Sequence, residues 1–145
     1  MTTISKYTAQ KKIALTWFIF SSLIVILFIF ISSPRAGENV KDYYSWLIGF
    51  LSPALSLIVS SFIYSANNRE TLEQKFIDSF FVRLVNIASV FYLLFLLGIL
   101  LATPFSQKKD IKFIDYLNNF SLLLSFIQTL ILALLGIFFV KNDSK

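Results

Sequence analysis

Four stretches of the chain carry no charged residue: 13–33, 43–66, 84–103 and 116–140. A helix rising about 1.5 Å per residue crosses about 30 Å of hydrocarbon with roughly 20 residues, so each stretch is long enough to span a bilayer. Membrane strands need only about 10 residues with alternating polarity. Leu23–Ile31 and Phe91–Leu97 are instead unbroken apolar runs, which fit helices and exclude a barrel. The pattern predicts an all-α integral membrane protein. Its four transmembrane helices form two antiparallel hairpins, a small bundle that makes residues 1–145 one membrane domain.

Pro34 and Gly37 break the chain after the first span, and Pro104 with the polar run Ser106–Lys112 turns it after the third. Lys6, Lys11 and Lys12 precede the first span as in a secretory signal, but that span exceeds the roughly 7–15 apolar residues of such a signal. Pro34 also spoils a small-x-small cleavage site, so the first span is expected to be retained. No loop approaches the roughly 100 residues of an independent domain.

The link between spans two and three is the longest polar stretch. Asn67 with Glu70 resembles a helix start, and Arg69/Glu73 and Lys75/Asp78 stand at helical pairing distance. Span three is therefore expected to extend outward to about residue 69. On such a helix Lys75, Ser79, Arg83 and Asn86 share one face, opposite Ile77, Phe80, Phe81, Leu84 and Ala88. Lys75, Arg83 and Asn86 become candidate contacts to headgroups or a partner chain, against the plainer reading of a solvated helix start. Trp17, Tyr43, Tyr44, Trp46, Tyr64 and Tyr116 fall near span ends, where amphipathic rings anchor a helix at the interface.

Within the spans, the polar positions are also patterned. Ser45, Gly49, Ser52, Ser56 and Ser60 fall in an arc of about 80° on span two. Ser121, Ser125, Gln128, Thr129 and Gly136 fall in about 100° on span four. Small residues let helices approach closely. Ser52, Ser56, Ser60, Ser125, Gln128 and Thr129 are thus candidates for helix packing or for lining water. Pro53 lies near the middle of span two, where it removes a backbone hydrogen bond and frees a carbonyl for another donor. Gln128 is near the middle of span four and needs a partner, in its own chain or in a second copy.

Composition narrows the chemistry. The 145 residues are 57% hydrophobic and 14% charged, with neither Cys nor His, which removes thiolate and imidazole catalysis, disulfides and ordinary zinc sites. All eight acidic residues lie outside the uncharged spans, and no ionisable group sits in mid-span where proton-coupled carriers place one. No phosphate-binding glycine loop or lipidation motif is present, so no catalytic, cofactor or metal residue is assigned and no cofactor is expected.

The net charge of +5 is spread over short flanking segments, which suits anionic headgroups better than nucleic acid. Lys6, Lys11, Lys12, Arg69, Lys75, Arg83, Lys141 and Lys145 would lie on one side, against Arg35, Lys41, Lys108, Lys109 and Lys112 on the other. By the positive-inside rule both termini are expected in the cytoplasm, and the composition fits a prokaryotic inner membrane. The functional expectation is a small non-enzymatic membrane protein that self-associates and permeates or perturbs the bilayer, as compact four-span effectors do by architectural analogy alone. The alternative is an anchor or accessory subunit for a cytoplasmic protein partner. Lipid and a homo-oligomer are the other partners expected.

Overall fold

A computed structural model of the chain describes residues 3–33, 40–73, 75–106 and 112–140. The elements run β1 (Thr3–Ser5), α1 (Lys6–Ser32), α2 (Val40–Asn67), α3 (Arg69–Glu73), β2 (Phe76–Asp78), α4 (Ser79–Ser106), α5 (Phe113–Asn119) and α6 (Ser121–Val140). Four of the helices are long and apolar enough to cross a membrane: Lys6–Ser32, Val40–Asn67, Ser79–Ala102 and Ser121–Phe139. By length and composition the chain has the make-up of a multi-pass membrane protein.

The long helices close a ring in which α1 and α6 lie on opposite corners, each packed against both α2 and α4. At one end the start of α1 meets the end of α2, where Gln10 and Ser65 are bonded, and Phe81 at the start of α4 packs at a tilt against Phe138 near the end of α6. At the other end Phe28 of α1 packs on Tyr44 of α2, and Tyr43 meets Phe113 of α5 edge-on. Trp17, Tyr92, Leu93, Leu96, Leu124 and Leu135 fill the space between them. The outer faces keep large apolar side chains exposed, among them Ile19, Phe30, Ile48, Leu122 and Phe126. Contiguous apolar exposure on this scale suits lipid rather than water.

The expected single helix from about residue 69 into span three is not what forms. After α2, Asn68 turns the chain by donating to the Tyr64 carbonyl through both its backbone and its side-chain amide. The five-residue α3 follows, held by Arg69 on Glu73 at 2.7 Å and over the ring of Tyr7. Residues 76–78 then pair antiparallel with residues 3–5, in the register Thr3↔Asp78, Ile4↔Ile77 and Ser5↔Phe76. Lys6 N–H extends the ladder to the Lys75 carbonyl at 2.8 Å. Helix α4 starts afresh because Asp78 Oδ1 accepts from Phe80 N–H at 3.1 Å, a side-chain cap on an otherwise unbonded donor. The pairing partner is over 70 residues away in sequence, so local periodicity could not announce it.

Span four is also divided. The predicted stretch 116–140 becomes the end of α5, a turn at Phe120, and α6. Phe120 N–H reaches back three residues to Leu117 rather than four, tightening the chain after Asn118 and Asn119, both weak helix formers. Pro104 does not end span three as expected, because α4 runs through it to Ser106. The turn expected at Pro34–Gly37 and residues 107–111 of the turn expected over Ser106–Lys112 lie outside the described residues, as do Gln74 and 141–145.

Candidate functional site

The polar groups that matter are built around Pro53 in the middle of α2. A proline has no N–H, so the carbonyl four residues earlier, Gly49, loses its helical donor. Gln128 of α6 supplies one, its Nε2 donating to Gly49 O at 3.1 Å and lying 3.2 Å from Phe50 O. Tyr92 of α4 donates its hydroxyl to the same Phe50 carbonyl at 2.8 Å. The Trp17 ring of α1 lies 5.9 Å from that of Tyr92, so α6 and α4 reach this turn of α2 directly and α1 packs against the tyrosine that does so. Toward the start of α2 and α6, Trp46 Nε1 donates to Ser121 Oγ at 2.9 Å and fastens the same pair again. Gln128 therefore spends its amide within its own chain.

The other in-span candidates sit differently. Ser52, Ser56 and Ser60 on α2 and Ser125 and Thr129 on α6 are all exposed. Ser60, Ser125 and Thr129 donate to the carbonyl one turn earlier, each at 2.8 Å. A hydroxyl bonded to its own helix presents a small, nearly apolar bump, so this outer surface of α2 and α6 tolerates hydrocarbon and close contact with another helix. Added Cβ atoms at Gly49 and Gly136 would meet nothing within 4 Å, so the surface is open there too.

The three candidates at the link are not brought together. Lys75 precedes β2, whereas Arg83 is exposed on α4, one turn past its start. Asn86 is half-buried, and its Oδ1 is enclosed with no hydrogen-bond partner among the described residues. The shared helical face needed a continuous helix, and the strand interrupts it. Of the rings read as interfacial anchors, Tyr44 and Tyr64 are exposed, but Trp17, Tyr43 and Trp46 are buried in the core. Distance from a span end gives depth along the helix and says nothing about direction around it.

Sequence reading missed Gln10 and Ser65, both about 1% exposed, joined by a 2.7 Å bond from Ser65 Oγ to Gln10 Oε1. It also missed a set of enclosed polar atoms on the facing helices α1 and α4. Trp17 Nε1, Ser21 Oγ, Asn86 Oδ1 and Ser89 Oγ all lack a hydrogen-bond partner among the described residues. The only signal was that Gln10, Ser21 and Ser89 fall at helical spacing with buried apolar neighbours.

At the end of the bundle holding β1, a cavity of about 320 Å³ lies between Lys6, β2, Phe81 and the end of α6. Outside it, Glu73 raises the Arg69 guanidinium above its ordinary pKa, first by its hydrogen bond and then by its charge. Among the described residues, no group of His, Cys, Asp or Glu is placed to hold a metal. No protein-family model matches this chain, and no curated protein or solved structure is similar to it.

Proposed function

We propose that the chain is a small non-enzymatic membrane protein. Its two antiparallel hairpins cross a prokaryotic inner membrane with both termini in the cytoplasm, and it self-associates to permeate or perturb the bilayer. The observation that carries this reading is the outer surface of α2 and α6, where Ser52, Ser56, Ser60, Ser125 and Thr129 are exposed. Lipid offers helices no hydrophobic reason to associate, and small residues that allow close approach are the usual substitute. Gln128 is engaged inside the chain and Trp17 and Tyr92 fill the centre, so a path for water belongs between copies, lined by hydroxyls and weakly selective.

Ser56→Leu combined with Ser125→Leu tests the reading, because two branched side chains on the seam block close approach without adding polarity. Oligomer size in mild detergent and dye release from liposomes should both fall. Unchanged oligomer size and unchanged release would overturn it. An anchoring role is the second reading, favoured by Phe76, Phe80 and Arg83, which are exposed together around β2 and the start of α4. Pull-down of one cytoplasmic protein that is lost with Phe80→Ser would support that role instead.

A further inference from the structure

The cavity beside β1 joins two kinds of wall. One is charged: Lys6, only 3% exposed, and Asp78 line it together. The other is apolar, made by Phe76 and Ile77 of β2, Phe81 of α4, and Ile137 and Phe138 of α6. Phe138 is buried, while Ile137 is half-exposed on the outer face of α6 and Phe76 on β2, so the cavity opens sideways at the end of a span. A site that sets one buried cation and one exposed carboxylate beside both buried and exposed apolar side chains matches an amphiphile better than a water-soluble solute. About 320 Å³ is at the small end of the roughly 300–1,000 Å³ of ligand pockets, enough for a headgroup and the first carbons of one chain.

The geometry points to a binding site for a phospholipid whose headgroup carries a primary ammonium. The phosphate meets Lys6, the lipid ammonium meets Asp78, and one acyl chain leaves along Phe138 and Ile137. An ammonium has three N–H donors, so a phosphate oxygen can join the partners Lys6 already holds within the chain. Asp78 uses Oδ1 to cap α4, and a carboxylate can accept further hydrogen bonds at its two oxygens. A choline headgroup has no N–H to give, and a glycerol headgroup has no cation, so the pair of opposite charges favours the ammonium form. This site rests on the bilayer reading of the four helices and not on self-association.

The test is thermal unfolding of the full chain in nanodiscs of phosphatidylcholine, alone or doped with phosphatidylethanolamine or phosphatidylglycerol. Phosphatidylethanolamine should raise the midpoint by several degrees over both other lipids, since a ligand bound only to the folded state stabilises it by mass action. Asp78→Asn keeps a capping oxygen while removing the charge, and should erase that preference. Lys6→Gln should lower retention of every phospholipid in native mass spectrometry, whereas Lys12→Gln, exposed on the same helix, should not. A glycerol headgroup matching or exceeding ethanolamine would overturn the proposal, as would a preference that survives Asp78→Asn. The same midpoint shift from inorganic phosphate with ethanolamine alone would assign the cavity to a free solute and also overturn it. Flotation with liposomes separates loss of insertion from loss of the site. If Lys6→Gln fails to insert, the lipid ranking of the native chain and of Asp78→Asn decides.

Discussion

Pro53 takes one N–H out of the α2 ladder, and the donor that replaces it comes from another helix. Part of this was legible in the sequence: a freed carbonyl follows from any mid-helix proline, and an amide at the centre of a span must find a partner. That Gln128 and Gly49 find each other depends on the register of two helices over 70 residues apart, which no local pattern encodes. A double-mutant cycle reads the pair. Gln128→Leu should cost about 1–3 kcal/mol by leaving an acceptor unserved. In a Pro53→Ala background the alanine N–H returns to Gly49, so the same change should cost less, with coupling of at least about 0.5 kcal/mol. Independent costs would mean the amide is not serving that carbonyl. The hydroxyl of Ser89, without a hydrogen-bond partner among the described residues, gives the opposite expectation. Ser89→Ala should be neutral or stabilising by up to about 1 kcal/mol in denaturant titration, because a buried hydroxyl without a partner is a cost. Clear destabilisation would reveal a bonded water or another partner at that hydroxyl.

The uncharged stretches announced the long helices and their approximate ends, because membrane depth is written in composition. Faces were harder, since helices that are apolar on nearly every side carry little periodicity to say which way they turn. Trp17 and Trp46 were misread for this reason, having been assigned by depth. At the α3–α4 link, charge pairing suggested one helix, and only the Arg69–Glu73 pair formed as expected. The remote strand Thr3–Ser5 claims residues 76–78, and Asp78 then restarts the helix. Asp78→Ala should loosen that restart by about 1 kcal/mol, seen as faster hydrogen exchange at the first amides of α4, and Asp78→Asn should not. Equal exchange in the two variants would show that the ladder alone fixes the start of α4.

At the scale of the whole molecule, the ring of α1, α2, α6 and α4 satisfies its central amide internally and fills its centre with aromatic and aliphatic side chains. Outward on α2 and α6 it leaves the small hydroxyl residues Ser52, Ser56, Ser60, Ser125 and Thr129 among larger apolar side chains such as Ile48, Leu122 and Phe126. Self-association through that surface is the central claim, and the absence of native cysteine makes it directly readable. A disulfide forms only when two Cα atoms come within about 7 Å, so single cysteines report close helix approach. In liposomes under mild oxidation, Ser52→Cys and Ser56→Cys should cross-link into dimers, while Ile19→Cys, exposed on α1, should stay monomeric. Cross-linking at Ile19 that equals or exceeds the α2 positions would contradict the account.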